Sequence, residues 1–92
     1  MDGNVKQKLK TLRCEIDNCD QQLIQLLKAR EVIAIKVRKL KRGNFIASYD
    51  ESREQQQAEV RQSQNVSMFV EACMQAIVKR SRDLIINKRP RM

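Results

Sequence analysis

Two cations define the chemistry this chain could carry. Along Leu9, Leu12, Ile16, Cys19, Leu23, Leu26, Arg30, Ile33, Val37 and Leu40 the spacing alternates three and four, the seam of one long packed helix. Arg30 stands in that seam where Leu or Ile belongs. A guanidinium does not lose its charge, so an Arg facing a packed interior has to meet an anion there, from the protein or from a ligand. Lys41 follows eleven residues later, close to three helical turns, so that Arg30, Ala34, Val37 and Lys41 share one face. The small side chain of Ala34 leaves room for both cations to converge.

Further charged residues lie around this pair. Arg13 precedes Arg30 by 17 residues, roughly 25 Å along a helix and turned about 100° away. No small ligand touches both from one helix, so a ligand role for Arg13 requires a site completed by another chain. Spacing alone also allows an i,i+4 surface pair with Asp17, which is the simpler reading. Asp50, Arg53 and Glu54 fall together near the start of a second helix; acidic residues favour helix N-termini even where no ligand binds. Ser81 lies on a third helix, one turn beyond Ile77 with Ile85 one turn further, and a mid-helix Ser often bonds only its own backbone.

The chain has no His and no CxxC, which removes Ser-His-Asp triads and Cys-His pairs and argues against zinc sites. Cys14, Cys19 and Cys73 are odd in number, and two of them occupy apolar positions of helical patterns, so buried reduced thiols are expected. Chemistry here rests on Arg, Lys, carboxylates and hydroxyls.

Three helices have to position these groups. With two glycines and one proline in 92 residues, and no strand pattern, the class is all-α and the chain is read as a single domain over 1–92. The first helix is expected over about 4–42, with Gly43 taking the left-handed position beyond it. Ser48 and Glu51 read as a capping box for a second helix over about 49–63, which starts near Tyr49. Asn65 or Ser67 then caps a third over about 67–87, ahead of a basic tail from Lys88 to Met92. The first helix would be a rod of roughly 58 Å, whereas a compact chain of this size has a radius of gyration of about 12 Å. Its seam cannot be covered within one small chain, and a homodimer with paired long helices supplies the missing surface.

The formal charge of +8 points to an anionic partner: nucleic acid, a membrane surface or a small polycarboxylate. With one Tyr, two Phe and no Trp there is little for bases to stack on, and no run reaches membrane-spanning length. Met1-Asp2-Gly3-Asn4 begins no signal peptide, so a cytoplasmic location is expected.

Laid end to end, these residues resemble the all-helical chorismate mutase family. The opening pattern stands as Leu12-Arg13-x-Glu15-Ile16-Asp17-x-x-Asp20-x-x-Leu23, then Leu26-Leu27-x-x-Arg30, Ala34-x-x-Val37-x-x-x-Lys41 and Asp50-x-x-Arg53-Glu54. Helix 3 follows more loosely, through Phe69-Val70 and Met74-Gln75-x-Ile77-Val78 ahead of Ser81. The resemblance implies an intertwined three-helix homodimer with two sites, each borrowing Arg13 from the partner chain. It implies that Arg13 and Arg30 bind the two carboxylates of a dianionic substrate and that Lys41 binds the ether oxygen and a carboxylate. Asp50 and Glu54 would hold the ring hydroxyl, Arg53 would support Glu54, and Ser81 would touch a carboxylate.

The implied reaction is the pericyclic rearrangement of chorismate to prephenate, which needs no nucleophile, acid, base, metal or cofactor. Two features depart from the family pattern. Where the family usually carries Gln or Glu as a second donor to the ether oxygen, this chain has Ile85, and the span from Glu54 to Ser81 is about one helical turn short. Some small intracellular members of the family are activated by docking on the first enzyme of the shikimate pathway, and an altered third helix suits such a member. Alternatives are a mutase or lyase acting on 4-amino-4-deoxychorismate or isochorismate, and a non-catalytic chorismate-binding regulator. The intact Asp50-x-x-Arg53-Glu54 argues against the lyase. A basic dimer that binds nucleic acid through Lys79, Arg80, Arg82, Lys88, Arg89 and Arg91 ranks last, since a solvated basic face is the default for such a run.

Overall fold

The computed structural model describes residues 3–47 and 50–86. Over these residues the chain is all-α: α1 spans Gly3–Gly43, α2 spans Glu51–Ser63 and α3 spans Met68–Ile85. It divides into two compact units, Met1–Arg30 and Glu31–Met92, and α1 runs through both. The expected cap at Ser48, the expected helix start at Tyr49, the helix end at Asn87, the basic tail from Lys88 to Met92 and the opening Met1-Asp2 lie outside the described residues.

α1 is a helix of 41 residues because nothing along it breaks one: no proline occurs, and Lys41 and Arg42 in the last turn face the negative end of the helix dipole. Its end differs from expectation. Gly43 is the last helical residue and has no positive φ; the left-handed residue is Phe45, at φ 55°. The Ile46 N–H donates to the Lys41 carbonyl at 2.9 Å and the Phe45 N–H to that of Arg42 at 3.4 Å, the paired bonds of a Schellman end. The Asn44 side-chain amide donates to the Leu40 carbonyl at 2.9 Å, so three terminal carbonyls are satisfied in succession. That closure outweighs the roughly 1–2 kcal/mol that a side chain costs in the left-handed region.

α2 begins two residues later than the capping-box reading places it. Asp50, extended at φ −120° and ψ 90°, is its N-cap, and its Oδ1 accepts from the Arg53 N–H at 2.9 Å. The helix ends at Ser63 with Gln64 as its C-cap, followed by Asn65 at φ 55°, a residue type that tolerates this conformation. Of the two caps expected for α3, Ser67 is the one used, its Oγ accepting from the Val70 N–H at 3.2 Å.

In the unit Met1–Arg30, every residue from Gly3 to Ala29 is exposed. Ile16, Leu23 and Leu26 stand 59, 51 and 64% exposed, which is an apolar stripe with no cover in the chain. The expectation of buried thiols is overturned for the same reason: Cys14, Cys19 and Cys73 are all unpaired and exposed, because the seam positions among them lack a facing surface. Among the described residues of Glu31–Met92, Ala34 is the buried one, and half-buried positions of α1 and α3 include Val37, Arg38, Met74, Ile77 and Leu84.

Candidate functional site

The antiparallel pair α2 and α3 is tied at both ends by arginine–carboxylate forks. Near the connection, Arg61 donates through Nε and Nη2 to the two oxygens of Glu71 at 2.8 and 3.2 Å, and Gln75 adds a bond to Glu71 at 3.0 Å. The Arg61 hydrogen bond, followed by that of Gln75, holds the Glu71 carboxyl below the usual carboxylate range, and Glu71 in turn raises the Arg61 guanidinium. At the far end, Arg82 donates through Nε to Glu54 Oε2 at 2.9 Å and through Nη2 to Oε1 at 2.5 Å. α1 joins α3 through Arg38, whose Nη1 donates to the Leu84 carbonyl at 3.4 Å.

These ties place several of the expected site residues. Glu54, one turn into α2, is half-buried and lies against the side chain that follows Ser81 on α3. Ser81 and Ile85 are both half-buried; the Ser81 hydroxyl donates to the Ile77 carbonyl one turn back at 2.9 Å, the backbone bond common for a mid-helix serine. Lys41 is half-buried at the end of α1. Asp50 is exposed, and one of its oxygens is used in capping α2. Arg53 is exposed too and donates to Gln56 at 3.4 Å, so the guanidinium that meets Glu54 belongs to Arg82.

In the unit Met1–Arg30, Arg30 is half-buried and Arg13 is exposed. No ion pair joins Arg13 to Asp17 among the described residues, so the simpler reading of Arg13 as half of a surface pair is not realised.

Two open grooves run between α2 and α3. The first, about 560 Å³, sits at their connection and is lined by Val66, Ser67, Met68 and Ala72 among others. The second, about 470 Å³, is lined by Glu51, Glu54, Lys79 and Arg82 among others. Neither is lined by Lys41, Ser81 or Ile85. Among the described residues no group of three or more His, Cys, Asp or Glu could hold a metal ion, and no helix is long and apolar enough to cross a membrane.

The pattern of one long cationic helix, an Asp-capped α2 and a Ser-bearing α3 can be set against known families. The family model for chorismate mutase type II matches residues 12–85. The chain belongs to the chorismate mutase type II family. Chorismate mutases are isomerases, and the match begins one residue before Arg13, closes on Ile85 and takes in α1 from Leu12 onward with all of α2 and α3. No curated protein and no solved structure matches the chain.

Sequence spacing did not find Arg82 as a partner of this mutase-family chain's Glu54. Read from the sequence, Arg82 was one member of a basic run, and a contact across 28 residues of chain leaves no periodic signal. The cue that a half-buried carboxylate needs a cation becomes available only with the structure, and it names the type of partner and not its position.

Proposed function

We propose that the chain is a homodimeric chorismate mutase that converts chorismate to prephenate at two sites, each shared between the protomers. The observation that carries this reading is the family match over residues 12–85, which takes in Arg13, Arg30, Lys41, Asp50, Arg53, Glu54, Ser81 and Ile85 together. The apolar stripe of α1 supports the dimer, since Leu12, Ile16, Leu23 and Leu26 gain cover only from another surface.

In this reading Arg30 and the partner's Arg13 hold the two carboxylates of the dianion, and Ser81 assists one of them. Asp50 and Glu54 meet the ring hydroxyl. Lys41 faces the ether oxygen, where negative charge develops as the C–O bond breaks. The rearrangement transfers no proton, so the protein accelerates it by selecting the compact chair-like conformer and by aiming a fixed cation at the breaking bond. The net charge of +8 draws the dianion toward the sites.

Ile85 limits the rate. An aliphatic side chain donates no hydrogen bond, and the loss of one such donor costs about 2.7–4 kcal/mol in the transition state, or 10²- to 10³-fold. Ile85 therefore favours a second reading in which the chain binds chorismate and turns it over slowly unless another protein docks on it, a shikimate-pathway enzyme being the natural candidate. Incubating the purified protein separately with chorismate, isochorismate and 4-amino-4-deoxychorismate and identifying the products tests the proposal. Prephenate from chorismate is expected; pyruvate release, or no conversion of any of the three, contradicts it.

A further inference from the structure

The fork between Arg82 and Glu54 bears on which ring substituent the site accepts. The two oxygens of Glu54 are each bonded to a different nitrogen of one guanidinium, at 2.9 and 2.5 Å, with the Glu54 and Arg82 side chains 22 and 35% exposed. Both side chains line the same open groove, so the pair is reachable by a small molecule. A carboxylate held this way keeps acceptor lone pairs on each oxygen, but it and its guanidinium partner together carry no net charge.

That distinction separates two substituents of similar size. A ring hydroxyl needs an acceptor lone pair and nothing more. A ring ammonium needs net negative charge to replace its lost hydration, and here it would also meet the adjacent Arg82 cation. Among the other charges, Glu51 and Lys79 line the groove with opposite signs, and Asp50, which caps α2 through one oxygen, is the carboxylate left to face the substituent, so an ammonium finds one net negative charge where two unpaired carboxylates would offer two.

We propose that Arg82 is a specificity-determining residue, which by neutralising Glu54 makes the site select a substrate with a ring hydroxyl over the analogue with a ring ammonium. This rests on the reading that Glu54 meets the ring substituent. Arg82 touches no reacting atom and acts through Glu54 alone. Its effect is therefore on the ratio between two substrates and not on the rearrangement common to both.

The test is internal competition between chorismate and 4-amino-4-deoxychorismate, measured as the ratio of the two kcat/KM values. A partly folded preparation lowers both rates together and leaves the ratio intact. Arg82→Gln should shift the ratio toward the amino substrate on the order of ten-fold, because Glu54 regains its charge. Glu54→Gln should shift it the opposite way, because Arg82 is then uncompensated, and this variant decides the matter if Arg82→Gln does not fold. If either variant lowers both kcat/KM values by the same factor, the pair is only a structural tie and the proposal is overturned. If Glu54→Gln leaves both values at the wild-type level, Glu54 is outside the site and the reading beneath the proposal fails instead.

Discussion

Arg61 and Glu71 are joined through two parallel hydrogen bonds, of 2.8 and 3.2 Å, that close the connection between α2 and α3. Only 12% of the Arg61 side chain is exposed, so this fork packs as well as pairs. Glu71 carries its charge at a cost lower than usual, and the consequence appears in acid.

Because the folded-state pKa of Glu71 is depressed, the stabilisation from this pair is present above the ordinary glutamate range of about 4.3 and is lost as pH falls through the lower folded value. Melting temperatures measured from pH 6 down to pH 3 should drop more steeply for the wild type than for Arg61→Met, which has no fork to lose. Parallel slopes for the two proteins would show that Glu71 titrates as an isolated carboxyl.

Asp50 caps α2 and is proposed to hold the substrate as well, and the two roles can be separated. Asp50→Ser keeps a side-chain acceptor for the Arg53 N–H and shortens its reach, so stability should stay within about 0.5 kcal/mol of the wild type. Activity should fall about ten-fold in kcat/KM, the equivalent of one hydrogen bond to the ring hydroxyl. Unchanged kcat/KM would leave Asp50 as a cap alone.

The exposed stripe on α1 predicts an assembly-dependent fold. Leu23→Lys replaces a side chain that is 51% exposed in the single chain, where such a change is worth less than about 0.5 kcal/mol. In the dimer it buries a charge in the seam and should cost several kcal/mol, and the wild-type melting temperature should rise with protein concentration. A folded monomer in sedimentation at micromolar concentration, with Leu23→Lys equally stable, would remove the dimer and the shared site together.

What the sequence made legible, and what it did not, follows from the range of each interaction. The extent of α1 was readable to within a residue, 4–42 against the observed Gly3–Gly43, because helix continuity depends on local breakers and none occurs. Its end was misassigned for an equally local reason: Gly43 is the residue best suited to a left-handed φ, but the hydrogen bonds from Phe45 and Ile46 close the helix two residues later. Ser67 was legible as a cap, whereas Asp50 was weighed only as a ligand or a dipole partner. The forks at Glu54 and Glu71 were not legible, since each depends on how α2 folds back along α3, and arginines at 61 and 82 look the same in sequence as their solvated neighbours.

Ile85 is half-buried in the last turn of α3, and the proposed reading puts it where the family usually provides a donor. Ile85→Gln should raise kcat on chorismate roughly ten-fold, with a smaller change in KM, because the added donor is used chiefly in the transition state. Stability should fall slightly as a polar group replaces an apolar one. Lys41→Ala should abolish turnover in both backgrounds; a gain that survives the loss of Lys41 would mean that α3 has repacked without restoring a contact to the ether oxygen.

The shared site is tested most directly by mixing two inactive chains. Arg13→Ala and Arg30→Ala should each be nearly inactive, since every site in a homodimer of either lacks one carboxylate partner. After subunit exchange at equal amounts, half of the dimers are mixed, and each mixed dimer has one site with both arginines intact. Prephenate formation should recover to roughly one quarter of the wild-type specific activity. No recovery after verified exchange would contradict the account, because Arg13 and Arg30 would then act within one chain or outside the site.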